Sequence, residues 1–249
     1  MEVHHHTHSS RKKWTHYFWE FLMLFLAVFC GFLAEYQLEH VIEKQREKQY
    51  MESFVYDLQS DTALLNEGFP LKEARVTAID SVFLFFKDNK NAGRIPGFIY
   101  SNMRRTLWDR HYRRNSTTID QLKNAGGMRL IRNKKIADSI AAYDLAWLRA
   151  EFWRERYMTR QVEGQHLINK ILDANDLVNS YYENIVPSNL PRSVTDTLNV
   201  RLNRDELNEY LNFLHDQKTS TKQDKMSYQS IELRAERLIE LIKNEYHLK

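Results

Sequence analysis

Residues 17–34 read YFWEFLMLFLAVFCGFLA, an almost unbroken apolar run in an otherwise hydrophilic chain. A helix rises about 1.5 Å per residue, so crossing a hydrocarbon core of roughly 30 Å takes about 20 residues. The run is just long enough, and it predicts a transmembrane helix. Its one charge, Glu20, falls in the first turn, where a carboxylate reaches the headgroup layer and lies near the positive end of the helix dipole. Trp14, Tyr17 and Trp19 mark one boundary as an aromatic belt does.

Other origins for such a run fit less well. A core helix of a soluble protein keeps a polar stripe, and residues 21–33 have none. A cleavable signal peptide needs small residues before its cut site, but Phe32 stands two positions before Ala34. Lipoprotein processing at Cys30 is disfavoured by Phe29. The run therefore reads as an uncleaved single-pass anchor. Arg11, Lys12 and Lys13 abut it, whereas Lys44, Arg46 and Lys48 begin well beyond it, which predicts a cytoplasmic amino terminus. The expected location is the inner membrane, with the body in the periplasm.

The composition bounds the rest. With 36 Lys+Arg against 33 Asp+Glu, the net charge of +3 is too small to demand a polyanionic partner, and nucleic acid is not expected. Only 7 Gly and 4 Pro interrupt 249 residues, which favours long helices over a many-stranded sheet. The lone cysteine, Cys30, lies in the predicted span, so no intrachain disulfide is possible.

The predicted organisation is all-α: a tail over residues 1–16, the span over 17–34, a helical stalk and first bundle helix over 35–66, and a helical body over 67–249. In the tail, His4, His5, His6 and His8 are weak metal-ligand candidates, because a tail supplies no organised geometry. Residues 35–66 contain neither Gly nor Pro, and Met51, Phe54, Val55, Leu58 and Leu65 repeat at helical spacing. Gly68 and Pro70 are expected to end this helix. Residues 71–87 read as a second one, followed by a loop over 89–98.

The next stretch, MRRTLWDRHYRRN, carries Arg104, Arg105, Arg110, Arg113 and Arg114 beside Trp108. Such a mixture fits anionic lipid or an envelope polymer, although a helix face whose arginines pair with nearby acids has the same composition. Residues 116–118 offer caps for a short helix that stops at Gly126 and Gly127, with MRLI as an apolar link. Asn133 caps a longer helix. Its residues Ile136, Ile140, Tyr143, Trp147, Ala150 and Tyr157, and then Gly164, Ile168, Ile171, Val178 and Tyr182, recur at near-heptad spacing. Arg154 and Gln161 interrupt this coiled-coil-like seam and predict polar groups on the partner helix. Pro187 and Pro191 bound a loop, Asn203 starts a helix to about His215, KTSTKQDK reads as a polar connector, and Ile231, Ala235, Leu238 and Ile242 line the last helix.

Several pieces together resemble a family of uncharacterised single-pass membrane proteins common in the Bacteroidota. These are Glu20 at the head of the span, EYQLEHVIEKQREKQY, IDQLKNAGGMRLIRNKKIADSIAAYD and RAERLIELIKNEY. The resemblance implies one amino-terminal span and a helical body, but no activity and no functional residues. The present span departs from the family in being rich in Leu and aromatics where a more β-branched run is usual.

No phosphate-binding loop, dinucleotide fingerprint, zinc-protease helix or nucleophile elbow is present, and His111, His166 and His215 stand alone. No catalytic residue, metal or cofactor is therefore expected. The reading is a membrane-anchored helical interaction, scaffold or sensor protein whose partners are the bilayer and another protein or a second copy. Binding of anionic lipid or polymer is the alternative, and an enzyme with a dispersed site comes third.

Overall fold

Helix α1 runs without interruption over Trp14–Asp88. The computed structural model describes residues 14–107, 109–172, 197–201 and 203–248. The expected break at Gly68 and Pro70 does not occur. Met51, Phe54, Leu58, Asp61 and Leu65 before it, and Lys72, Arg75, Ile79, Val82 and Phe86 after it, are all buried. Their alternating spacing of three and four continues through Gly68, which is buried too. Pro70 is exposed, so its ring faces outward. A mid-helix proline costs about 3 kcal/mol, and the continuous buried stripe on both sides outweighs that.

The chain divides into two units, Met1–Tyr50 and Met51–Lys249. In the first, α1 is apolar and long enough to cross a membrane, and none of its apolar window is buried. Phe18, Phe21, Leu24, Phe25, Val28 and Phe32 are all exposed, as lipid-facing side chains would be.

The second unit is built on helices. After α1 come strand β1 (Arg94–Pro96), α2 (Gly97–Leu107), α3 (Thr117–Asn124), a 3-10 turn (Gly127–Leu130), α4 (Lys134–Ile171), strand β2 (Thr197–Asn199) and α5 (Arg204–Tyr246). The all-α expectation holds, with one local addition: part of the predicted loop over 89–98 forms a two-stranded antiparallel ribbon, Ile95 opposite Leu198. Val178, Tyr182, Pro187 and Pro191 lie outside the described residues.

Helix α5 also runs past its expected end. The supposed connector KTSTKQDK lies inside it, and Gln217, Thr221 and Asp224 are buried at the same spacing as Leu207, Tyr210 and Leu214 before them and Tyr228, Ile231, Ala235, Leu238 and Ile242 after them. Asn203 caps it, accepting from the Asp205 amide at 3.0 Å. Asn133 likewise caps α4, accepting from the Lys135 amide at 3.0 Å. The pairs Asn133–Glu245, Arg160–Asp216 and Lys170–Glu209 run α4 and α5 antiparallel. Close approach requires Gly164, since a Cβ there would collide with the Phe213 ring.

The hydroxyls of residues 116–118 do not cap α3. Two carboxylates of α1 take that part. Asp57 accepts from the Thr118 amide at 3.0 Å and from the Asn115 side chain at 2.8 Å. Asp61 accepts from the Asn115 amide at 2.7 Å and from the Tyr143 hydroxyl at 2.5 Å.

Candidate functional site

The buried stripes of α1 and α5 each carry polar residues midway, and these residues meet. Lys72 donates to Asp109 at 2.9 Å and also to Asp224. Arg75 donates through Nη1 to Asp109 at 2.6 Å and to the Thr221 hydroxyl at 2.9 Å. Its Nη2 reaches Gln217 at 2.8 Å and the Thr106 carbonyl at 2.8 Å, and its Nε donates to the same carbonyl at 3.1 Å. Two cations thus face two carboxylates, with side chains no more than 6% exposed in the three ion pairs.

Aromatic rings close this layer. The Lys72 ammonium lies 5.5 Å from the Tyr112 ring centre and 5.4 Å from that of Tyr228, within cation–π range. Tyr112 and Tyr228 meet edge to face at 4.9 Å, and Trp147 lies 5.8 Å from Tyr228. The hydroxyl of Tyr112 is buried without a hydrogen-bond partner among the described residues.

Burial raises the Asp224 carboxyl above its ordinary range, and the Lys72 ammonium offsets this only in part. Burial also lowers the Arg75 pKa, against the pull of Asp109 and Asp224. Tyr112 is pushed up to about 12, again by burial first. His111, beside the layer, has both ring nitrogens buried and without a hydrogen-bond partner among the described residues. Desolvation depresses its pKa, and the charges of Lys72, Arg154 and Arg75 add to this against the pull of Asp109.

Chemically the layer is closed. Each cation is already matched, and a buried pair lacking one partner would be costly. It fixes which turn of α1 meets which turn of α5, since a shift of one turn would strand two charges in the core. On α4, Tyr157 bonds to Ser220 of α5, and the Arg154 charge acts on His111 and Tyr228.

The arginine-rich stretch is not one helix. Arg104 and Arg105 occupy the last turn of α2, whereas Arg110, Arg113 and Arg114 follow it in chain without regular secondary structure. Arg114 is engaged with Asp144, which also accepts from Lys123 at 2.9 Å. Arg105, Arg110 and Arg113 are exposed. Trp108 and the histidines His4, His5, His6 and His8 lie outside the described residues. Among the described residues, no three His, Cys, Asp or Glu side chains are placed to hold a metal ion.

The charge layer was not anticipated from the sequence. Its signal was the stripe itself: Lys72 and Arg75 fall seven residues after Leu65 and Gly68, and Gln217, Thr221 and Asp224 continue the rhythm of Tyr210 and Leu214. No family model matches the chain, and no curated protein or solved structure matches it either.

Proposed function

We propose that the protein is a single-pass, membrane-anchored interaction protein that binds a helix of another protein on the outer faces of α4 and α5. The observation that carries this reading is a set of large apolar side chains left in solvent on α4. Leu145, Leu148 and Phe152 follow one another at spacings of three and four, with Trp153 beside them, and each is between 45% and 56% exposed. Next to them runs a groove of about 540 Å³ between α4 and α5, containing Ala150, Trp153, Tyr157, Met226 and Ile231, with Arg149 and Arg234 on its flanks. Interfaces favour such aromatic, Met and Arg surfaces, and the two arginines select an apolar helix edged by acids.

The tether is the apolar part of α1, and the placement of Arg11, Lys12 and Lys13 orients the second unit to the periplasmic side of the inner membrane. The family resemblance agrees with this arrangement and adds no activity. Photo-crosslinking from position 152 of the full chain in cells tests the reading. A discrete adduct that disappears with Arg149→Glu and Arg234→Glu is expected. A chain that stays monomeric and uncrosslinked overturns it, and an adduct of twice the chain mass assigns the face to a second copy. Protease added to spheroplasts tests orientation separately, with digestion beyond Glu35 expected.

The exposed Arg105, Arg110 and Arg113 favour a second reading, binding of anionic lipid or polymer. Equal binding of the protein to neutral and anionic vesicles would remove it.

A further inference from the structure

A second concavity, of about 670 Å³, lies between the last turns of α1 and the first turns of α5. Its size falls within the range of small-molecule sites. Phe83, Leu84, Leu207 and Leu211 line it, and Phe83 and Leu211 pack on their inner side against the core formed by Val82, Phe86 and Tyr210. The wall is therefore the outside of a packed core and is pre-formed.

Lys87, Lys90 and Arg204 line the same cleft, and all three are exposed. None has an ion-pair partner among the described residues. Two acids also line it. Asp80 is neutralised by Lys218, which leaves Asp205 as one negative charge against three positive ones. An apolar wall with a net cationic rim matches a molecule that has an apolar body and an anionic head.

The cleft is short. Its lining spans residues 80–90 on one side and 204–211 on the other, about 12 Å and 10 Å of helix. A partner helix of several turns would overrun it, whereas a single acyl or aromatic body fits. We propose that this cleft is a binding site for a small anionic amphiphile, a carboxylate or phosphate on an acyl or aromatic body, with Lys87, Lys90 and Arg204 holding the head group. This goes beyond the interaction face on α4 and does not depend on it.

The test is calorimetric titration of the full chain in zwitterionic nanodiscs with decanoate, decyltrimethylammonium and acetate, empty nanodiscs being subtracted. Saturable one-site binding of decanoate is expected, with acetate and the cationic amphiphile each weaker by about tenfold or more. Lys87→Glu with Lys90→Glu should weaken decanoate by a similar factor without moving the thermal midpoint, because both side chains are exposed. Leu84→Gln, also at an exposed position, should weaken it severalfold. Equal binding of the two amphiphiles, indifference to these variants, or no saturable binding overturns the proposal. Binding of an acid-rich helical peptide in place of decanoate would assign the cleft to a protein partner and overturn it as well.

Discussion

The Tyr112 hydroxyl lies directly against the backbone of Gly68, in the space that a Cβ at that position would occupy. This contact decides the sign of a substitution that helix propensity alone would get wrong. Gly68→Ala inside α1 should gain about 1 kcal/mol from propensity. Overpacking against the ring costs about 1 to 3 kcal/mol, so the variant should melt earlier than the parent. Because the hydroxyl has no hydrogen-bond partner among the described residues, Tyr112→Phe should be neutral or mildly stabilising, but it should relieve Gly68→Ala only in part, since the ring carbons Cζ and Cε1 would still clash with the added Cβ. Gly31→Ala, also inside α1 but with nothing within 4 Å among the described residues, is the comparison without a clash and should not melt earlier. Thermal melts of the three variants and the double substitution decide the matter; a Gly68→Ala protein that melts later would refute the packing account.

The charge layer predicts strong non-additivity. Lys72→Met leaves Asp109 and Asp224 facing each other in the core with one cation removed, which should destabilise by about 3 to 5 kcal/mol. Adding Asp224→Leu removes the stranded charge and leaves the Arg75–Asp109 pair intact. The double variant should recover most of the loss, because replacing a buried pair with apolar groups is often close to neutral. Urea unfolding of the two single variants and the double variant measures the coupling, and strictly additive losses would show that the pair is not coupled.

Apolar periodicity carried most of the architecture. Where a stripe was uniformly hydrophobic, as from Ile136 to Ala150 or from Ile231 to Ile242, the helix and its buried face were legible and both are observed. The failures share one cause. Gly68 and Pro70 were read as a stop, and KTSTKQDK as a connector, because local composition was weighed without its partner. Thr221 and Asp224 look like surface residues until Lys72 and Arg75 are placed opposite them, and those cations lie 146 and 152 positions away in the contacts that matter. Asp57 and Asp61 escaped notice for the same reason, since the α3 amide that Asp57 caps lies 61 positions on. Short-range pattern identifies a buried face, but a polar residue on that face can be understood only from the element that satisfies it.

Asn133 was legible because a cap is local. Its side chain accepts from the first amides of α4. Asn133→Ala should lower stability by about 1 kcal/mol. The bond from its Nδ2 to Glu245 is exposed and adds little. Asn133→Asp keeps the acceptor but places a negative charge near Glu245, so it should lose less than the alanine variant. Equal losses would place the contribution in the Glu245 contact and not in the cap.

Asp61 gives the chain a pH dependence of unusual sign for a carboxylate. Burial raises its pKa to about 6 from an ordinary 3.8; the bonds from Tyr143 and Asn115 and the Arg114 charge oppose this, and the Asp57 charge adds to it. The folded state therefore binds this proton more tightly than the unfolded chain does. The contribution to stability is fully present below the unfolded value and is lost as pH rises through about 6. Asp144 runs the other way: burial pushes it up, but Lys123 and Arg114 outweigh that and hold it low, so its contribution is lost only on acidification below the ordinary range. The two groups thus act in separate windows. Asp61→Asn abolishes the titration while retaining an acceptor for the Asn115 amide. Its stability relative to the parent should rise between about pH 4.5 and pH 7.5, as read from urea midpoints of the full chain at each pH. A difference that stays constant across that range would mean that Asp61 is ionised throughout and that its two hydrogen bonds outweigh its burial.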